Sequence, residues 1–104
     1  MALAASLLGI DATVFMPSNA SLPKVVATSR YGANVELVGD TVEDAIAAAL
    51  DFGERHGPVV VHPYDNPDVV AGQASVGLEI LEQVPDVRTI VVPAGGGGLL
   101  AGIS

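Results

Sequence analysis

The chain has no cysteine and no tryptophan. It has two Phe, two Tyr and four cationic residues, Lys24, Arg30, Arg55 and Arg88, in 104 positions. Each scarcity excludes something. Without cysteine there is no disulfide framework and no thiolate metal site. Four scattered cations against twelve acids leave a formal net charge of −8 and no basic track, so nucleic acid is not an expected partner. No run of about eighteen apolar residues occurs, so no membrane span is expected. The apolar start, Met1 to Ile10, lacks the basic region and cleavage context of a secretory signal. The acidic balance suits a cytoplasmic protein. With aromatics so scarce, the core must come from Ala, Val, Leu and Ile, which suits packed layers of strands and helices. Half of the residues are hydrophobic and 15% are charged, the composition of a folded domain and not of a disordered chain. The length allows one domain at most.

Along the chain, element types alternate. Met1 to Leu8 has a helical pattern without an N-cap, stopped by Gly9. Ala12 to Met16 is a predicted strand closed by Pro17. Ser21 to Tyr31 is a predicted helix with Pro23 in its first turn and Gly32 past its end. Asn34 to Val38 is a short strand. Thr41-Val-Glu-Asp44 is a capping-box start, with Asp in place of the usual Glu, for a helix to about Arg55 closed by Gly57-Pro58. Val59 to His62 is a third predicted strand. Asn66 and Pro67 form an N-cap and first-turn pair for a helix to about Gln83. Thr89 to Val92 is a fourth strand, and a last helix opens near Leu99. The pattern predicts an α/β protein, a parallel sheet of about four strands with flanking helices and crossover connections. Ligands of such sheets sit beyond the carboxyl ends of the strands. Three segments lie there: Pro17 to Ala20, His62 to Asn66 and Pro93 to Gly98. The first helix lacks a start and the last has barely begun, so the chain reads as an internal fragment. Thr89 to Ser104 is then expected to dock poorly and to expose Ile90, Val92, Leu99 and Leu100.

Four consecutive glycines, Gly95 to Gly98, join the fourth strand to the last helix. Lacking side chains, they let the backbone turn sharply and approach a ligand closely. The unpaired N–H groups of the following first turn favour an anion, usually a phosphate. A P-loop is ruled out, because Leu99 follows Gly98 where Lys is required. Gly96 to Ala101 meets the dinucleotide pattern Gly-x-Gly-x-x-Ala, as consecutive glycines readily do. A third reading is a cradle for one terminal phosphate, as of pyridoxal phosphate. A tight turn with no ligand remains the plain alternative.

The stretch Val91-Val92-Pro93-Ala94-Gly95-Gly96-Gly97-Gly98-Leu99-Leu100-Ala101-Gly102-Ile103 resembles the phosphate loop of threonine dehydratases (threonine ammonia-lyases) and serine racemases, fold type II pyridoxal-phosphate enzymes. His62-Pro63-Tyr64-Asp65-Asn66-Pro67, followed by Val70-Ala71-Gly72-Gln73, is similar to that family's His-Pro-Phe-Asp-x-Pro and Ile-Ala-Gly-Gln segments. Ala20-Ser21-Leu22-Pro23-Lys24 and Tyr31-Gly32-Ala33-Asn34-Val35 match in the same order, so the resemblance covers essentially the whole chain. It implies a tryptophan-synthase-β-like fold, with residues 1–88 in the small domain and its return helix and residues 89–104 opening the large domain. It implies pyridoxal 5′-phosphate as cofactor, held by Gly95, Gly96, Gly97, Gly98 and Leu99, with Tyr64 and Asp65 as possible pocket lining. It implies β-elimination from threonine or serine in amino-acid metabolism such as isoleucine biosynthesis. The α-proton and β-hydroxyl are lost, and a 2-oxo acid and ammonia result, in a homo-oligomeric parent. It places no catalytic residue here: the Schiff-base lysine and the Ser-Ala-Gly-Asn-His loop belong upstream of Met1. The pyridine-nitrogen partner and any metal ligands belong beyond Ser104. The 104 residues alone are expected to be inactive. Serine racemase, another type II enzyme such as a cysteine synthase relative, and a non-catalytic nucleotide-binding module are the alternatives.

Other polar residues read more plainly. Lys24, the only lysine, sits in a first helical turn and reads as a solvated residue. His62 reads as a histidine holding its loop, since no second ligand lies at metal spacing. Asp65 could cap the Asn66-Pro67 turn instead of lining a pocket. Glu43, Asp44, Asp51 and Glu54 form an exposed helix face, and Asp68 favours its helix N-terminus. Gln73 and Ser75 serve local backbone groups.

Overall fold

A computed structural model describes residues 1–104. The element order is α1 (Ala2–Leu8), β1 (Thr13–Met16), α2 (Leu22–Arg30), β2 (Asn34–Leu37), α3 (Val42–His56), α4 (Pro67–Gln83) and α5 (Gly98–Ile103). The chain divides into two compact units, Met1–Val60 and Val61–Ser104.

In the first unit, β1 and β2 pair in parallel, with Thr13 opposite Asn34 and Met16 opposite Leu37. A parallel pair needs a crossover, and α2 is that crossover. Small side chains make the core: Ala2 and Ala5 of α1, Ala33, and Ala45 of α3. The ring of Phe15 on β1 meets Phe52 on α3 at 5.5 Å, and Phe52 meets His56 at 4.6 Å, so both phenylalanines lie where the sheet meets its helix. Helix ends follow local chemistry. Gly9 takes the left-handed conformation, φ 65°, that closes α1, and Gly57 does the same for α3 at φ 81°. Thr41 Oγ1 accepts the Asp44 N–H at 3.1 Å while the Asp44 carboxylate accepts the Thr41 N–H at 3.0 Å, a reciprocal capping box.

In the second unit, the Asn66 Oδ1 accepts the N–H groups of Asp68 at 2.8 Å and Val69 at 3.2 Å, and Pro67 opens α4. Helix α5 packs on α4 backbone to backbone. A Cβ on Gly102 would lie 2.7 Å from both the Val70 oxygen and the Ala74 nitrogen, and one on Gly77 would lie 3.3 Å from the Ile103 Cα.

Two expectations are corrected. The sheet has two strands and not about four. Val59 to His62 and Thr89 to Val92 form no ladder, and none of their N–H groups bonds to another backbone group. A strand exists only with a hydrogen-bonding neighbour. Val59 is 91% and Val91 92% exposed, so these β-branched runs have the composition of strands without a partner. The poor docking expected of Thr89 to Ser104 is seen in part: Ile90 and Leu100 are exposed, Val92 and Leu99 are half-buried, and α5 is seated on α4 through Gly102.

A candidate phosphate-binding glycine loop

The loop before α5 is defined by backbone. Of its four glycines only Gly97 has a positive φ, 91°, a conformation that any side chain would strain. Gly97 is the N-cap of α5, and its carbonyl accepts the Ala101 N–H at 2.8 Å. None of the N–H groups from Gly95 to Leu100 donates to a backbone or side-chain acceptor of the chain. They form a continuous set of free donors on a turn that leads into a helix, the arrangement that binds anions.

Tertiary packing explains two further glycines. A Cβ on Gly96 would overlap the Tyr64 ring. A Cβ on Gly98, which is buried, would lie 3.0 Å from the Tyr64 Cβ and 3.1 Å from its Cα. Gly95 has open space around it. The run therefore divides its work: Gly97 for conformation, Gly96 and Gly98 for contact with Tyr64, Gly95 for an open approach.

Tyr64 is half-buried and is held in turn by His62. The His62 Nδ1 accepts the Asp65 N–H at 2.9 Å and the Tyr64 N–H at 3.4 Å. The two rings meet edge to face, 4.7 Å between centroids. A cavity of about 290 Å³ opens beside the loop, lined by Tyr64, Asp65, Val70, Gly96, Gly97, Gly98 and Ala101. It suits a phosphate through backbone donors alone, since no lysine or arginine lines it, and the Asp65 carboxylate on its wall opposes negative charge. The residues present therefore fit a group whose phosphate is held by N–H donors.

Of the three loops expected at the ligand edge, the structure brings His62–Asn66 and the glycine run together. Pro17–Ala20 belongs to the first unit, where the Ser18 N–H donates to the Gly39 oxygen at 2.8 Å and Asn19 Nδ2 to the Asp40 oxygen at 3.1 Å. Asn66, not Asp65, caps α4. Lys24 is exposed in the first turn of α2, and the Ser75 hydroxyl bonds the Gly72 carbonyl at 3.0 Å. Arg55 pairs with Asp51 at 2.5 Å across one turn of α3. Val70 and Ala101 line the cavity without having been singled out. For Ala101 a signal existed, since it follows Gly98 by three residues and so shares its helix face. The contact of Tyr64 with Gly96 and Gly98 had none, because it joins residues far apart in sequence.

The fold and the loop define an α/β protein with a glycine cradle of free donors at a helix mouth. Residues 1–104 match the family model described as pyridoxal-phosphate dependent enzyme. The chain belongs to that family. It is 51% identical over 104 residues to the L-threonine ammonia-lyase of Geobacter sulfurreducens, covering all of this chain and 26% of that protein. Processed threonine deaminase isoform 2 from Solanum lycopersicum superposes with a TM-score of 0.85 at 37% identity, over 98% of this chain and 28% of that one. Maize serine racemase superposes with a TM-score of 0.88 at 39% identity, over 98% of this chain and 31% of that one. The chain thus spans about a quarter to a third of the relatives it matches. No helix is long and apolar enough to cross a membrane.

Proposed function

We propose that this chain supplies the phosphate cradle of a pyridoxal-phosphate-dependent threonine or serine dehydratase. The observation that carries the reading is the set of free N–H donors from Gly95 to Leu100, on a turn made at Gly97 beside the cavity that Gly96, Gly97, Gly98 and Tyr64 line. The relatives named threonine ammonia-lyase and threonine deaminase support the β-elimination, giving a 2-oxo acid and ammonia. When bound, the cofactor would supply the electron sink for that chemistry. The residues of this chain bind and orient. Gly95, Gly96, Gly97, Gly98 and Leu99 donate N–H groups to the phosphate, and Tyr64 and Asp65 line the pocket. No residue here moves the α-proton. In the same reading, residues 1–88 belong to a small domain and residues 89–104 open a large one, in a cytoplasmic homo-oligomer. Serine racemase is the second reading, supported by the maize structure. The dinucleotide reading of the glycines loses its support once the family is known.

Gly95 offers the clean test, because a side chain there meets nothing within 4 Å. Gly95→Asp in the full-length gene product should weaken cofactor affinity about tenfold or more. A lost hydrogen bond to a charged group is worth roughly 1.5–3 kcal/mol, and the added carboxylate repels the phosphate. Gly95→Ala should bind nearly normally, and both apoproteins should melt like the parent. Absorbance titration with pyridoxal phosphate measures the affinities. Unchanged affinity in the Asp variant would overturn the cradle.

A further inference from the structure

The glycine loop has no side chain of its own and no hydrogen bond from the N–H groups of Gly95 to Leu100 to hold it. Its place in the second unit is set by what it touches. Gly96 rests on the Tyr64 ring and Gly98 on the Tyr64 backbone. Tyr64 is therefore one of two seats of the loop, the other being the packing of α5 on α4 through Gly102.

Tyr64 lies in an irregular loop, Pro63 to Asn66, whose backbone has no ladder or helix to fix it. Its order comes from side chains at both ends. At one end Asn66 caps α4. At the other, one ring nitrogen of His62 accepts two successive backbone N–H groups, from Tyr64 and Asp65. An imidazole that accepts at Nδ1 carries its ring proton on Nε2. Nδ1 is thus committed to the loop. The edge-to-face packing of the two rings, with 87° between their planes, adds a second restraint on the tyrosine.

We propose that His62 is a positioning residue for the phosphate cradle: by accepting the Tyr64 and Asp65 N–H groups at Nδ1, it fixes the tyrosine on which Gly96 and Gly98 rest. The consequence for the cofactor rests on the function proposed above, but the consequence for the loop does not. Histidine's role is geometric and needs an acceptor at the δ position. Asparagine places Oδ1 near that point and retains the role. Glutamine, whose oxygen lies one bond further out, does not.

The test compares His62→Gln and His62→Asn in the full-length gene product, with two readouts. The first needs no cofactor. The Tyr64 ring lies against Gly96, so the Gly96 α-protons should carry a ring-current displacement in glycine-labelled protein, and the Asp65 amide should be protected from exchange. His62→Gln should abolish the displacement and speed Asp65 exchange about tenfold, the loss of one hydrogen bond. His62→Asn should keep both. The second readout is pyridoxal phosphate affinity by absorbance titration, expected to fall about tenfold in the Gln variant and to stay within about threefold in the Asn variant. If His62→Gln fails to fold, Tyr64→Leu replaces it: with His62 intact, Asp65 should stay protected while the affinity falls. Equal losses in the Asn and Gln variants, or no loss in either, would overturn the proposal, as would normal affinity in Tyr64→Leu. Failure of the unsubstituted protein to bind pyridoxal phosphate would instead overturn the proposed function, and the Gly96 signal would still decide the role of His62.

Discussion

Glycine is used for three separate physical reasons in this chain, and adjacent positions differ. Gly97 is needed for its backbone conformation, Gly96 for contact with a ring, and Gly102 for backbone contact between two helices. Gly72, in the middle of α4, has open space where a Cβ would lie, with no neighbour within 4 Å. These surroundings predict opposite outcomes for the same substitution. Gly102→Ala drives a methyl group to 2.7 Å from the Val70 oxygen and the Ala74 nitrogen and should destabilise by about 1–3 kcal/mol. Gly72→Ala fills open space in a helix interior and should stabilise by about 0.4–1 kcal/mol, by restricting the unfolded chain and improving helix propensity. Denaturant melts of the two variants decide the matter. Effects of the same sign would show that the close approach of α5 to α4 is not maintained in solution.

Helix ends carry most of the legible information at the level of elements. Thr41 with Asp44, Asn66 with Pro67, and the glycines after α1 and α3 all sit where the pattern predicted, because capping depends on residues within one turn. The Asp44 carboxyl is held below the ordinary aspartate value of 3.8 by the Thr41 side chain and by the backbone N–H groups of Asp40 and Thr41. A carboxyl whose folded value is depressed contributes stability that is fully present above its unfolded value and is lost as pH falls through the folded one. Helix α3 should therefore keep this contribution at neutral pH and lose it below about pH 3.8. Thr41→Ala should cost about 1 kcal/mol at neutral pH, and the gap to the parent should shrink in acid. A gap that stays constant well into acid would show that the Thr41 side chain does not help to hold the Asp44 carboxyl down. Strands were less legible. Ala12–Met16 and Asn34–Val38 found each other, while Val59–His62 and Thr89–Val92, richer in β-branched residues, found no partner. Propensity describes a residue and a ladder requires two segments.

For the molecule as a whole, the buried apolar side chains are all small. They are Ala2, Ala5, Ala33 and Ala45, while Leu7 is 78%, Leu8 72%, Val59 91% and Val91 92% exposed. Small domains bury a low fraction of their surface, and large apolar side chains left in water promote association. The isolated 104-residue chain should bind a hydrophobic dye and self-associate at micromolar concentration. Sedimentation velocity with dye fluorescence checks this. A monodisperse, dye-silent monomer would show that these side chains are covered in solution.

What the sequence determined by itself was local or motif-borne. The helix caps and the parallel α/β class depend on neighbours in the chain, and motifs in a fixed order carried the resemblance to the pyridoxal-phosphate family. The family match covers all 104 residues. Only the tertiary structure decided which predicted strands pair, that α5 seats on α4 through Gly102, and that Gly96 and Gly98 are glycine because Tyr64 lies against them. These outcomes depend on distances between residues remote in sequence. A Tyr at position 64 and a Gly at position 96 carry no mark of each other until the chain, held by the nitrogen of His62, brings ring and backbone into contact.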